Sequence, residues 1–166
     1  MTGRFTRRRP LAVGFVVLAA GLALAGCGSS DATVTETRDG RITVEGEGDR
    51  RTATIQGDGS STVFGSGTTP KGFPGAVPLP KGATLGTTAS ATRGGTQFFQ
   101  LNYSGVGATA AKALDAYGAQ LTGAGFDVTP GTGRSIEATD GTWRVRAVAG
   151  AGSDPTLAVT VTNAGG

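Results

Sequence analysis

Few side chains in this sequence are suited to catalysis. The chain has no histidine, which excludes Ser-His-Asp and Cys-His catalysis and every metal site that depends on imidazole. It has one thiol, that of Cys27. Four carboxylates remain as candidates for an acid pair like that of a glycoside hydrolase: Asp115, Asp127, Glu137 and Asp140.

Ordinary structural roles account for three of these carboxylates. Asp140 precedes Gly141 in a turn signal, and Asp115 falls on the solvent side of a predicted helix. Glu137 points outward from a predicted strand. The sequence therefore predicts a protein that is not an enzyme and that holds no metal and no cofactor.

Cys27 ends a segment with the layout of an export signal. Arginines at the start are followed by an apolar run over residues 11–25 and then by small residues. The run has 15 residues, whereas a helix that spans a bilayer needs about 20. We therefore predict a signal peptide over residues 1–26. Because Cys27 is the single cysteine, an intramolecular disulfide is excluded.

The tetrapeptide Leu24-Ala25-Gly26-Cys27 resembles the lipobox of bacterial lipoproteins. The resemblance implies that diacylglycerol, with acyl chains such as palmitate, is attached to the Cys27 thiol and that a signal peptidase cuts just before this residue. Two or three acyl chains anchor a protein stably, whereas one does not. The expected location is therefore the extracytoplasmic face of the cell membrane, with a lipid anchor in the bilayer.

Removal of the signal changes the charge of the chain. The mature protein would have 166 − 26 = 140 residues, with 15 − 4 = 11 basic and 12 acidic side chains, a net charge of −1. No basic patch is left in the sequence to indicate nucleic-acid binding or a second membrane contact. The abundance of glycine and the few aromatic residues indicate a small β-rich domain with a thin core.

The first half of the mature chain divides into three segments. Residues 27–32 are predicted to be a tether, and residues 33–65 a β-hairpin segment with turns near residues 39–40 and 57–59. This segment has few apolar residues to bury, so it must pack on the rest of the chain or pair with a partner chain. Residues 66–82 are a Gly/Pro-rich connector, which we expect to seal the core edge and not to serve as a proline-rich docking peptide.

Residues 83–166 are predicted to form an α+β domain, an antiparallel sheet with one covering helix in the order ββαββββ. The helix is placed at about 108–122 because Leu114, Tyr117 and Leu121 fall on one stripe with Ala110. The strands after it alternate between apolar and polar residues, which is typical of a sheet with one covered and one solvated face.

Four side chains of this domain are candidates for contact with a ligand or partner: Trp143, Phe98, Arg144 and Arg146. Trp143 between arginines is suited to stacking on a sugar or holding a partner protein. The alternation of the strand favours another interpretation, in which Trp143, Val145 and Ala147 are buried and the arginines stay in solvent.

The stretches Phe73 to Ala83 and Tyr117 to Phe126 are similar to those of uncharacterised lipoproteins and secreted proteins of high-GC Gram-positive bacteria. The similarity covers residues 70 to 165 and implies an envelope location, a small α+β domain and no known catalytic residues. We therefore predict a non-catalytic binding or accessory module of the cell envelope, with an envelope protein or glycan as partner. The alternative is a structural or assembly protein that pairs with its partner by strand addition.

Overall fold

The computed structural model describes residues 33–37, 40–47, 50–57, 59–107, 109–152 and 154–164. The predicted signal peptide, the lipidation of Cys27 and the tether lie outside these residues. No helix in the described part of the chain has the length and apolarity needed to cross a bilayer.

Ten strands and one helix make up the described structure. The strands are β1 (Thr33–Thr37), β2 (Gly40–Glu47), β3 (Arg50–Gly57), β4 (Ser60–Ser66), β5 (Thr84–Arg93), β6 (Thr96–Ser104), β7 (Asp127–Pro130), β8 (Ser135–Thr139), β9 (Trp143–Ala149) and β10 (Leu157–Asn163). The helix, α1 (Ala110–Gly123), connects β6 to β7. All strands belong to a single sheet in the order β1-β2-β3-β4-β5-β6-β10-β9-β8-β7, and every neighbouring pair is antiparallel.

The predicted fold class, an α+β domain in the order ββαββββ preceded by a β-hairpin-rich segment, is wrong. The described part of the chain is mainly one large antiparallel sheet with one short helix, and the hairpin segment forms part of that sheet. Strand β4 pairs with β5 from Ser60 opposite Arg93 to Ser66 opposite Thr87. This pairing has a physical reason, because it satisfies N–H and C=O groups that an edge strand would leave without partners.

The helix begins and ends with satisfied backbone groups. Thr109 is its N-cap, and the side-chain hydroxyl accepts a hydrogen bond from the N–H of Lys112 at 3.2 Å. At the other end Gly125 adopts a left-handed φ of 89°, and the N–H of Phe126 bonds back to the carbonyl of Leu121. The helix packs against β7, β8, β9 and β10, so it covers only one end of the sheet.

The core lies between α1 and one face of the sheet. The stripe predicted on the helix is confirmed, since Leu114, Tyr117 and Leu121 are buried. They meet alternate residues of the three central strands under the helix, which are buried in turn: Phe99, Leu101 and Tyr103 on β6, Leu157, Val159 and Val161 on β10, and Val145, Ala147 and Ala149 on β9.

Residues 67–83 close one edge of this core. The ring of Phe73 packs edge-on against Phe99 with 5.6 Å between ring centroids, and Val77 is buried. The hydroxyl of Tyr117 donates a hydrogen bond to the carbonyl of Pro78 at 3.1 Å. With its apolar side chains turned into the core, the segment does not project as a free proline-rich peptide.

Replacement of Gly118 by alanine is expected to raise the free energy of unfolding by about 0.5–1 kcal/mol, because alanine has the higher helix propensity. Gly118 is buried, but an added Cβ would lie 3.5 Å from Cδ1 of Ile136 and 3.8 Å from Cγ1 of Val128, which is ordinary van der Waals contact. Urea unfolding followed by the fluorescence of Trp143, the one tryptophan, measures the change. The matched control is Ala116→Gly on the exposed side of the helix, which should lower stability by a similar amount. A destabilised Gly118→Ala variant would contradict the prediction.

Candidate functional site

The face of the sheet that points away from α1 is the candidate site, and we call it the open face. Residues paired directly across antiparallel strands share a face, so the registers define two rows that cross the sheet. The first row is Ile42, Ile55, Thr62, Ala91, Phe98, Thr162 and Arg144. The second row is Val44, Ala53, Phe64, Ala89, Gln100, Thr160 and Arg146.

The face of the sheet that holds most of the large apolar side chains differs between the two parts of the sheet. In β6 and β8–β10 most large apolar side chains point toward the helix, with Phe98 and Val148 as exceptions, whereas in β2–β4 most of them point to the open face. The helix lies on the other side of the sheet and leaves these side chains uncovered. We call this part of the open face the apolar half, formed by Ile42, Val44, Ala53, Ile55, Phe64, Ala89, Ala91 and Phe98.

The apolar half exposes more hydrocarbon than a solvated sheet face needs to. Phe64 is 47 % exposed and Ile55 is 44 % exposed. With strands about 4.8 Å apart, the patch extends about 19 Å from β2 to β6. Single exposed apolar residues are ordinary, but a contiguous patch of this kind marks an interaction surface.

At its other end the open face contains a hollow of about 460 Å³. Glu137 lies opposite Arg146 and Thr139 lies opposite Arg144, so charges of both signs meet there. We call this site the polar hollow, and its lining consists of Asp127, Thr129, Glu137, Ala138, Thr139, Arg144, Val145, Arg146, Thr160 and Thr162.

The four candidate carboxylates are only partly brought together. Asp127 and Glu137 both line the polar hollow on adjacent strands, as diagonal neighbours about 7–8 Å apart. Asp115 is exposed on the helix, outside the hollow. Oδ1 of Asp140 accepts hydrogen bonds from the backbone N–H groups of Thr142 at 2.8 Å and of Trp143 at 2.6 Å. The carboxylate therefore stabilises the turn between β8 and β9.

The polar hollow is better suited to binding than to acid–base chemistry. Asp127 and Glu137 are exposed, as are Arg144 and Arg146. The carboxylates therefore lie on an open surface beside cations and not in a closed cleft. Among the described residues there is also no group of three or more Asp, Glu, His or Cys placed to hold a metal ion. The arrangement can pair with charged groups of a ligand, and two arginines on one strand favour phosphate or carboxylate.

The four candidate contact residues lie on two different faces. Trp143 is on the covered face, half-buried, with its ring centroid 6.3 Å from that of Phe99. Phe98, Arg144 and Arg146 are on the open face. Phe98 and Arg144 are close to one another, because both lie opposite Thr162, one on each side of β10. Three of the four side chains can therefore touch one ligand, and Trp143 cannot join them there.

Sequence reasoning missed the apolar half and two further arginines on the open face. Ile55 and Phe64 fall within the predicted β-hairpin segment of residues 33–65, and the sequence of that segment does not indicate which face of the sheet they occupy. Arg51 and Ile55 lie an even number of positions apart on β3, so they point to the same face. Arg93 is the last residue of β5. The consecutive glycines Gly94 and Gly95 could have indicated which residues of β5 and β6 share a face. Their φ angles of 55° and 83° are those of a two-residue hairpin loop.

That turn fixes the register of β5 on β6, with Arg93 opposite Thr96 and Ala91 opposite Phe98. Ala91 lies opposite Phe98 and therefore shares its face. Because side chains alternate between the two faces of a strand, Ala89, two residues before Ala91, points to the open face as well. The remaining pairing of β4 on β5 cannot be counted in this way, because 17 residues separate the two strands.

The open face therefore combines an apolar half with a charged end. It carries four described arginines, at positions 51, 93, 144 and 146, and two described acids, at positions 127 and 137. Its breadth suits another surface better than a small molecule. Comparison with known protein families, curated proteins and solved structures finds no match to this chain, so its function has to be argued from this geometry.

Proposed function

We propose that the protein is a non-catalytic binding module of the cell envelope, held by lipid on Cys27 at the extracytoplasmic side of the membrane. Its binding surface is the open face of the sheet. The observation that carries the proposal is the exposure of Phe64 and Ile55 in a continuous apolar patch beside arginines. A patch of this kind is costly in water, and a bound partner removes the cost.

The geometry also bears on the kind of partner. Stacking of a sugar on Trp143 has little support, since the ring packs on Phe99 at the covered face. The apolar half crosses five strands, and this breadth suits the surface of another macromolecule or of a membrane. Envelope proteins and lipids therefore fit better than glycans.

Photo-cross-linking in intact cells tests the proposal. A photoreactive phenylalanine analogue at position 64 is expected to capture envelope molecules, because this side chain lies exposed in the middle of the apolar half. The matched control is the same analogue at Thr54, which lies on the opposite face of the adjacent strand β3. Cross-linking from position 64 should fall when Cys27→Ala removes the anchor, and labelling with a palmitate analogue should be lost in the same variant.

Two results would contradict this function. Equal cross-linking from positions 64 and 54 would mean that the open face is not a specific binding surface. Retention of the palmitate label in the Cys27→Ala variant would mean that the anchor is elsewhere.

A second candidate, strand addition, is favoured by one observation on the sheet edges. Strand β1 is an edge strand of five residues without proline, and its described side chains from Thr33 to Glu36 are exposed. The other edge, β7, has four residues and ends in Pro130, which limits further pairing. If β1 recruits a partner strand, a photoreactive residue at Thr35 should capture the partner and one at position 64 should not.

A further inference from the structure

We infer that the apolar half of the open face lies flat against an anionic lipid membrane. The inference rests on the anchor and the binding surface proposed above, and it names the partner of that surface as the bilayer that holds Cys27. The charge of the apolar half, the charge of its reverse side and the reach of the tether each point to this partner.

In strands β1–β6 the open face is positively charged. Among the described residues of this part of the face, Arg51 and Arg93 are the two charged side chains, and both are exposed. Ile55 and Phe64 lie between them on β3 and β4. Arginine binds phosphate through two parallel hydrogen bonds, and aromatic side chains are suited to the membrane interface. This combination matches a surface of anionic headgroups over hydrocarbon.

The reverse side of the same strands has a different character. Its described charges are balanced, with two arginines and two glutamates, and Nη2 of Arg41 lies 2.8 Å from Oε1 of Glu36. Thr43, Thr52 and Thr54 lie on this side together with Val34, which is 52 % exposed, and Val63. An excess of positive charge and a large apolar patch thus occur together on the open face only.

The predicted anchor keeps the sheet close to the membrane. Thr33 follows Cys27 by 33 − 27 = 6 residues, and at about 3.6 Å per residue six residues span at most about 22 Å. The apolar half itself extends about 19 Å across its five strands. The membrane surface therefore stays within reach of this patch, and tethering raises its effective concentration far above that of a diffusing partner.

A second copy of the chain fits this face less well than lipid does. In a two-fold dimer the same patch meets itself, so a patch whose described charges are both arginines would meet a second patch of the same positive charge. Like charges across an interface disfavour such a dimer. An anionic bilayer supplies the opposite charge over the whole patch, and each arginine near it contributes about fivefold to binding at physiological ionic strength.

The experiment uses the full lipidated chain reconstituted into vesicles. Lipidation leaves no free thiol at Cys27, so an introduced cysteine is the one site for a polarity-sensitive fluorescent label. The label is placed in Ile55→Cys on the open face and, separately, in Thr54→Cys, the preceding residue on the opposite face. In vesicles that contain phosphatidylglycerol, we expect the label at position 55 to shift to the blue and to become several-fold less accessible to acrylamide. The label at position 54 should stay exposed.

Two charge reversals show whether the arginines direct this contact. Arg51→Glu is expected to lower the equilibrium constant between the protected and the accessible label at position 55 by more than about fivefold. Arg50→Glu changes the same charge on the adjacent residue of the opposite face and should leave the protection unchanged. Circular dichroism of each variant shows that the sheet is retained.

Each other outcome overturns the inference. Equal protection at positions 54 and 55, or equal protection at position 55 in vesicles of phosphatidylcholine alone, would remove the preference for an anionic surface. Exposure at position 55 in all vesicles, together with cross-linking of a protein from position 64 in cells, would refute the membrane contact and leave the binding module standing. A chain that does not float with the vesicles lacks the anchor, and the proposed function then fails as well.

Discussion

Leu121→Ala is expected to lower the free energy of unfolding by about 2–5 kcal/mol, which is enough to leave much of a small domain unfolded. Leu121 is 0 % exposed, and its stripe on α1 packs over the central strands of the core. The cavity left by the substitution would lie between the helix and the sheet, where these side chains pack together. Urea unfolding followed by Trp143 fluorescence measures the loss.

Leu79→Ala is the matched control, because Leu79 has the same side chain and is 42 % exposed. We expect it to change stability by less than about 1 kcal/mol. Equal effects of the two substitutions would mean that the covered face is not the core of the molecule. Phe64→Ala should behave like the control in stability, because this side chain lies on the open face and is 47 % exposed.

The core could be predicted because its pattern is local. The apolar spacing of Leu114, Tyr117 and Leu121 identifies the helix and its buried side within one stretch of chain, and these residues are buried in the structure. The alternation of β9 likewise identified Val145 as buried and Arg144 as solvent-exposed, as observed. Periodicity within one stretch of chain is sufficient to predict the buried side chains when a strand or a helix buries only one of its sides.

The extent of the sheet could not be predicted in the same way. Whether β4 pairs with β5 depends on the path of 17 connecting residues, and the alternation of either strand is the same with and without that pairing. The sequence therefore predicts a hairpin segment and a domain as separate units. In the structure they are paired, and Phe64 of the hairpin segment lies directly opposite Ala89 of the domain. Register between distant strands is a tertiary property.

The site was hidden for the same reason. Arg51, Arg93 and Arg144 are far apart in sequence, and a net charge of −1 for the predicted mature chain gives no sign that they share a face. The sheet collects them there, while Glu36 and Glu45 fall on the opposite side. A second membrane contact, which the composition gave no reason to expect, becomes a proposal only once the registers are known.

The two tyrosines should make the fold sensitive to strong alkali. Both are buried, and burial raises the pKa of Tyr103 to about 12. The pKa of Tyr117 is raised further, first by burial and then by the nearby Tyr103. Because the folded pKa values lie above the unfolded value of about 10, this contribution to stability is complete below pH 10 and is lost as the pH rises through about 12. Phenolate absorbance should therefore stay flat through pH 10 and rise together with unfolding.

Replacing each tyrosine by phenylalanine measures how its hydroxyl group alone contributes to the free energy of unfolding. Within the described structure the hydroxyl of Tyr103 is buried without a hydrogen-bond partner, so Tyr103→Phe should raise the free energy of unfolding by about 1 kcal/mol. The hydroxyl of Tyr117 donates to the carbonyl of Pro78, so Tyr117→Phe should lower it by about 1 kcal/mol. Urea unfolding at neutral pH measures both changes, and phenolate absorbance in each variant follows the remaining tyrosine. Ionisation of either tyrosine near pH 10 in the folded protein would refute its burial, because an exposed phenol titrates there.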